Sequence, residues 1–368
     1  MKTTFILQDI QKSIPFLNHA LSSRSVMPIL TNVLIETKGN ELRMSTTDLE
    51  IGAEIKIQSM GEIDGKALLP ARPLFELLGF LPGTKSATMQ IQEKSLVLTT
   101  DRTKSVFQTQ NPDEFPNLYE KKGKKITVLT EETIQKELAK VVFASSADSS
   151  RPALSGVLVK TQDSGITLAA TDGFRLSLKK IKAASEGQGD KGIIVPSRVF
   201  REVLMFKDGG DVSVFVSNET NQIIFSQEGR TLVGKLIDSK FPDYEKIIPA
   251  DAETRITLDR DELQKAVKAS AIFAREANGM IRFSIRKEWV EISANTPSIG
   301  ENRVEVEART EGEENEIAFN PRYVLELLSN IDEEEIVFEM TGPLNPGVFK
   351  IKDDPTFLHL IMPIRVQG

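Results

Sequence analysis

At 368 residues the chain is too long for one ordinary core and fits three domains near the commonest domain size, and the absence of Cys excludes disulfides, thiol nucleophiles and thiolate metal sites together. Only two histidines, His19 and His359, leave little from which a triad or a metal centre could be built. Net charge is −7, which argues against a nucleic-acid partner until it is divided: residues 1–124 hold 15 Lys and Arg against 14 Asp and Glu, residues 125–250 hold 17 against 16, and residues 251–368 hold 14 against 23. The acidity belongs to the last third, so a basic face elsewhere stays open.

From the start, Asp9 interrupts the chain before any apolar run of signal-peptide length, and no later run approaches the roughly 18 apolar residues of a membrane helix. A cytoplasmic protein with no membrane partner is expected. Alternation predicts a strand over 4–7, and Ile10, Ile14, Leu17 and Leu21 form one stripe of a helix over 9–21, which Pro15 should bend or limit in its first turn. Strands follow over 30–37, 42–46, 50–57 and 66–69. A helix over 72–81 stops at Pro82-Gly83, and strands over 87–92, 95–100 and 104–110 complete the set.

A second set opens with a strand over 126–129 and a helix with Thr130 as N-cap and Glu131 and Glu132 favouring its dipole. Ile134, Leu138, Val141 and Val142 form the buried stripe, which leaves Lys136 and Lys140 exposed one turn apart. The third set has a strand over 255–258, a helix over 261–273 with Lys265 and Lys268 exposed, and strands over 280–286 and 289–294. A helix over 321–331 and a last strand over 357–363 close it. Two helices on antiparallel sheet, with about eight strands per set, make an α+β domain.

The sets keep one register. Arg72, Arg198 and Arg322 stand 126 and 124 residues apart, each at a helix start beside a Pro, with Glu76, Glu202 and Glu326 four residues on. Ile10-Gln11-Lys12, Ile134-Gln135-Lys136 and Leu263-Gln264-Lys265 open the first helices. Asp48, Asp172 and Thr296 end strand-to-turn signatures at steps of 124, and Phe115-Pro116 and Phe241-Pro242 lead out of the first two sets. Four signatures in one register make the chain three versions of one domain, 1–124, 125–250 and 251–368, joined by short linkers.

Catalytic motifs fail. The stretch from Gly187 to Gly192 matches GxGxxG but runs into Ile193-Ile194-Val195-Pro196, a strand, where a dinucleotide site needs a helix; it reads as a loop. Asp353-Asp354 lacks further ligands at loop spacing and reads as a turn, and both histidines read as structural. No catalytic residues, metal ligands or cofactor can be assembled, so the chain reads as a binding protein. The alternatives are an enzyme of nucleic-acid or nucleotide metabolism with an unrecognised site, and a structural adaptor.

With the core stripes removed, the first helices still present Lys12, Lys136, Lys140, Lys265 and Lys268, and the second helices begin with Arg72, Arg198 and Arg322. Any one of these is a solvated side chain on the plain reading. Cations at an equivalent point of three domains would instead line a common surface, and such phosphate contacts bind without reading sequence.

Along its whole length the chain resembles the bacterial beta sliding clamps, the processivity subunits of DNA polymerase III. The resemblance is carried by Met27-Pro28-Ile29-Leu30, Thr47-Asp48-Leu49-Glu50, Phe115-Pro116-Asn117-Leu118, Ala170-Thr171-Asp172-Gly173-Phe174-Arg175-Leu176, Phe241-Pro242-Asp243-Tyr244 and Ile361-Met362-Pro363-Ile364-Arg365. It implies a non-catalytic, cofactor-free homodimer, head to tail, whose six domains close a ring with helices facing encircled double-stranded DNA. Arg24 and Arg151 then join the DNA-facing cations.

The resemblance also implies a groove between the second and third domains. There the replicative polymerase alpha subunit, the clamp loader, repair polymerases and ligase insert short peptides with apolar anchors. The matching positions are Leu154, Thr171, Gly173, Phe174, Arg175, Leu176, Pro242, Lys246, Ile247, Leu344, Ile361, Met362, Pro363, Ile364 and Arg365. Thr171 and Arg175 would form its polar rim, and Pro363 should end the last strand's pairing and free the tail. The chain departs from the family at Phe174, where His is common, at Lys246, where Arg is common, and in Gln367-Gly368 beyond the usual end. By the same resemblance Arg102, Lys104 and Phe107 of one copy face Ile272, Phe273 and Glu301 of the other.

Overall fold

The computed structural model describes residues 1–22, 27–81, 86–148, 150–162, 165–183, 192–207, 209–275, 279–298 and 300–365. Arg24, Pro82-Gly83, the glycine-rich stretch from Gly187 through Lys191, and Gln367-Gly368 lie outside the described residues. The chain forms two compact units, Met1–Glu131 with Arg201–Leu236, and Glu132–Phe200 with Ile237–Gly368. Each unit is built on one 12-stranded sheet.

In the first unit the sheet runs Lys104–Gln108, Ser95–Thr99, Ser86–Gln92, Lys2–Ile6, Ile51–Ile63, Arg230–Lys235, Gln222–Gln227, Val212–Ser217 and Lys124–Leu129, with Asn32–Lys38, Glu41–Thr47 and Gly65–Pro70 branching from it. Helices Leu7–His19 and Ala71–Phe80 bury Ile10, Ile14 and Leu17, and Leu74 and Leu78. Pro15 lies inside the first helix, on its exposed side, and does not end it.

In the second unit the order is Ile193–Pro196, Gly156–Gln162, Gly165–Thr171, Arg175–Ile181, Asp354–Ile361, Gly347–Ile351, Glu335–Met340, Thr254–Asp259, Gly300–Gly312, Trp289–Thr296, Ile281–Ile285 and Asn315–Phe319. Helix Arg260–Ala274 starts where the Asp259 carboxylate accepts from the Glu262 amide at 2.8 Å. Helix Pro321–Leu328 starts where the Asn320 side chain accepts from the Arg322 amide at 2.9 Å, with Pro in the first position. Phe283, Phe319, Phe338 and Phe349 interlock in the core beneath, the last two stacked at 4.7 Å.

Neither sheet stops at a repeat boundary. Residues 51–55 of the first copy pair with residues 230–234 of the second, and residues 175–179 of the second pair with residues 357–361 of the third. Several expected elements need correction. The strand at 50–57 runs Ile51–Ile63, the helix at 321–331 ends at Leu328, and the last strand ends at Ile361. The long strand Gly300–Gly312 was not anticipated, because its exposed alternate positions carry Glu301, Arg303, Glu305 and Glu307 and mask the apolar signal.

The largest surprise is the first helix of the second copy. It consists of Glu131–Thr133, a π-helical turn Ile134–Leu138, and Ala139–Val142. A π turn breaks the rule that residues four apart share a face.

Candidate functional site

The groove positions lie in the second unit, around the turn from Thr171 to Arg175. The Asp172 carboxylate accepts from the amides of Phe174 at 2.9 Å and Arg175 at 3.1 Å. Gly173 adopts φ +94°, which favours glycine, and donates its amide to the Thr171 hydroxyl at 3.0 Å, while that hydroxyl donates to the Arg175 carbonyl at 2.6 Å. The turn is therefore fixed by its own polar atoms, and it aims Phe174 outward, 57% exposed.

Thr171 and Arg175 do not form a rim: they are 4% and 3% exposed. The Arg175 guanidinium lies 3.1 Å from Asp172 and 2.6 Å from Glu326, donates to the Phe143 carbonyl at 3.0 Å, and stacks on the rings of Phe143 and Tyr323. With Nε on Asp172, Nη2 on the Phe143 carbonyl and Nη1 beside Glu326, it acts as a buried post under the turn. Glu326 also holds Arg322 at 2.6 Å; burial pushes its carboxyl up, and the hydrogen bonds from Arg322 and Arg175 outweigh this and hold it below the usual range.

Above that post the structure assembles an apolar surface. Phe174 stacks on Tyr323 at 6.4 Å, and the Met362 amide donates to the Phe174 carbonyl at 2.8 Å. The tail is not free after Ile361, since the Ile364 amide also donates to the Ala318 carbonyl at 2.8 Å; Pro363 merely interrupts the ladder. Met362 is exposed, and Pro363 and Ile364 half-buried. Pro242, Lys246 and Ile247 are exposed on and beside the short helix Tyr244–Ile247, whose Tyr244 packs in the cluster containing Leu176. Lys246 pairs with Asp243 at 2.7 Å. Leu344, on a turn, and Arg365 are exposed, whereas Leu154, Leu176 and Ile361 are buried and serve as floor. Tyr323 was missed by the sequence reading, its only signal being an aromatic beside the repeated helix-start Arg.

Among the expected DNA-facing residues, Lys12 and Arg72 in the first unit and Lys136, Arg151, Arg198, Lys265, Lys268 and Arg322 in the second are exposed. Lys136 pairs with Glu132 at 2.9 Å and Arg151 with Asp148 at 3.3 Å. Lys140 must be corrected: it is 5% exposed and lies 2.6 Å from Glu333. It belongs to a charge chain of buried lysines and half-buried carboxylates in which Glu137, 3.7 Å from Lys140, also meets Lys179 at 2.8 Å, and Lys179 meets Asp354 at 2.5 Å. The π turn and two acidic neighbours, Glu137 and Glu333, draw Lys140 off the outer face.

At the expected dimer edges, Arg102 and Lys104 are exposed and Phe107 half-buried. Ile272 is 62% exposed, Phe273 packs partly on the core, and Glu301, 3.1 Å from Arg303, is exposed. Among the described residues no group of acidic side chains and histidines could hold a metal ion, and no helix is long and apolar enough to cross a membrane.

Comparisons with known proteins agree along the chain. Residues 1–119, 128–243 and 245–365 match the N-terminal, central and C-terminal domains of the DNA polymerase III beta subunit. The beta sliding clamp of Staphylococcus epidermidis is 29% identical over 356 residues, 94% of each chain. The crystal structure of the DNA polymerase sliding clamp from Bacillus subtilis superposes with a TM-score of 0.95 at 26% identity over the whole of both chains. A Pseudomonas aeruginosa sliding clamp bound to griselimycin superposes at 0.92 with 25% identity, again over both whole chains. Three successive domain matches in order, on three copies of one α+β unit, place the chain in the DNA polymerase III beta subunit family, the bacterial beta sliding clamps, which are non-catalytic accessory subunits.

Proposed function

We infer that this sliding clamp, a processivity factor, works as a head-to-tail dimer that encircles duplex DNA in the cytoplasm and tethers the replicative polymerase. The alpha subunit, the clamp loader, repair polymerases and ligase would each engage the apolar surface around Phe174, Tyr323, Ile247 and Met362 through a short peptide. Family membership supports DNA and polymerase as partners. Encirclement needs only weak phosphate contacts, which suits exposed, partly paired cations such as Lys136 and Arg322 on an acidic chain.

The observation that carries the ring is a pair of strand edges left over by the repeat. Twice within the chain, a central strand of one copy pairs with the last strand of the next. The remaining counterparts are the first half of Gly300–Gly312, whose ladder there is to Trp289–Thr296, and Lys104–Gln108, whose ladder is to Ser95–Thr99. Open edges of this kind invite pairing with another chain. Their charges are complementary, Arg102 and Lys104 against Glu301 and Glu305, which favours this union over either edge with itself. Primer extension on a primed circular template, with polymerase, loader and ATP, tests the function. Product length should rise sharply with the chain present; no change in length would contradict the reading.

A further inference from the structure

The two domain junctions inside this chain reuse one position of the repeat's first helix and differ in what meets it: Phe206 lies eight residues after Arg198, and Glu333 eleven after Arg322. In the first unit Phe16, on helix Leu7–His19, meets Phe206 edge to face with ring centroids 5.5 Å apart, and the two are 9% and 1% exposed. One turn on, His19 meets Glu202. In the second unit Lys140, which occupies the place of Phe16 when counted from Ile10 and Ile134, is buried against Glu333. One junction is thus closed by rings and the other by charge.

The same counting identifies the pieces of a third junction. From Arg198 and Arg72, the counterpart of Phe206 is Phe80; from Ile10 and Leu263, the counterparts of Phe16 and His19 are Ala269 and Ile272. Phe80 ends helix Ala71–Phe80 and is 81% exposed, more than any other large apolar side chain among the described residues. Ile272 stands 62% exposed near the end of helix Arg260–Ala274. An aromatic ring left in water on one element and a small residue beside an exposed Ile on another are matching halves of an apolar contact.

We propose that Phe80 packs on helix Arg260–Ala274 of a second copy, between the partner's Ala269 and the partner's Ile272, and so closes the seam as Phe206 closes the junction on Phe16. Ala269 leaves the volume that Phe16 fills in the first unit, and Ile272 supplies an apolar wall where His19 supplies a polar one. The Phe80 contact then resembles the ring-closed junction more than the ionic one, and the loss on removing that ring should depend little on salt, whereas the flanking charges should be screened. The proposal rests on the head-to-tail reading.

Sedimentation of the full chain tests it. Phe80→Ala should raise the dimer dissociation constant at least tenfold without changing the thermal melt of the monomer, since that side chain touches little in its own chain. Ile272→Ala should do likewise, and the two together should cost less than the product of their separate effects, because they remove one contact. Met60→Ala, at another exposed apolar position, should change nothing. If Phe80→Ala dimerises like the unaltered chain while Phe273→Asp yields monomers, the Phe80 contact is refuted and the seam stands. If the unaltered chain is itself monomeric at micromolar concentration, the head-to-tail reading fails and this contact with it.

Discussion

Lys140 and Glu333, 193 residues apart, form an ion pair at 2.6 Å that joins the second copy to the third, with the lysine buried and the carboxylate half-buried. Burial pushes the Glu333 carboxyl up, and the hydrogen bond and charge of Lys140 together with backbone amides outweigh it, so the group is held below its usual range. Reversing the charge of the buried member puts a carboxylate into a site lined by Glu137 and Glu333, which is costly even though Glu333 keeps some contact with water. Lys140→Glu should therefore lower unfolding stability severely, placing three carboxylates together. Lys136→Glu, at a solvent-exposed pair with Glu132, should leave it nearly unchanged. Denaturant melts of both variants check this; equal effects would contradict the assignment.

His359 predicts an acid-sensitive step. It is fully buried, stacks on Phe143 at 5.2 Å, and neither ring nitrogen has a hydrogen-bond partner among the described residues. Burial, helped by the charge of Arg175, pushes its pKa down to about 3. Because the folded value lies below the ordinary 6.5, the unfolded chain binds the proton first. Stability from this group is full above pH 6.5 and is lost as pH falls from there toward 3, with a slope of about 1.4 kcal/mol per pH unit. The depressed carboxylates Glu326, Glu333 and Asp354 add losses only below their ordinary values of 4.5, 4.5 and 3.8. His359→Leu should flatten the profile between pH 6 and 5; an unchanged slope there would rule His359 out as its source.

The partner surface should separate into anchors and supports. Phe174→Ala or Met362→Ala, both at exposed apolar side chains, should weaken a clamp-binding peptide by about 1–2 kcal/mol, five- to thirtyfold, with the melt unchanged. Arg175→Ala should instead destabilise the fold, since it strips Asp172 and Glu326 of a partner. Calorimetric titration beside a thermal melt distinguishes the two classes. Unchanged affinity in the Phe174 and Met362 variants would remove them from the binding surface.

The turn equivalent to the one beneath Phe174 carries strain in the first copy. Leu49 takes φ +77° where Gly173 takes +94°, and the same Thr and Asp bonds hold both turns. A left-handed conformation costs a non-glycine residue about 1–2 kcal/mol, partly offset by the greater freedom of unfolded glycine. Leu49→Gly should raise stability by up to about 1 kcal/mol, and Leu49→Val should lower it. A urea melt in which both variants match the original would show that the turn is relaxed.

The threefold architecture was legible because helix-start Arg residues, strand-end Asp residues and Phe-Pro exits kept one step. Local periodicity could find those elements. It could not find what long-range neighbours impose: Lys140 looks exposed on an ideal helix, and the π turn with Glu333 from the third copy explains its burial. Arg175 looked like a rim for the same reason, since Glu326 and Tyr323 arrive from distant sequence. The apolar surface was half legible, through Phe174 and Met362, while Tyr323 joined it only when helix Pro321–Leu328 packed beside the turn.

The central claim is encirclement, and the decisive measurement is retention on DNA of defined topology. The chain is loaded on nicked circular duplex with its loader and ATP, freed of unbound protein, and followed after a single cut linearises the circle. A ring held topologically should stay on the intact circle through moderate salt and leave rapidly once ends exist. Equal retention on circle and linear DNA, or release from the circle by salt alone, would contradict the account.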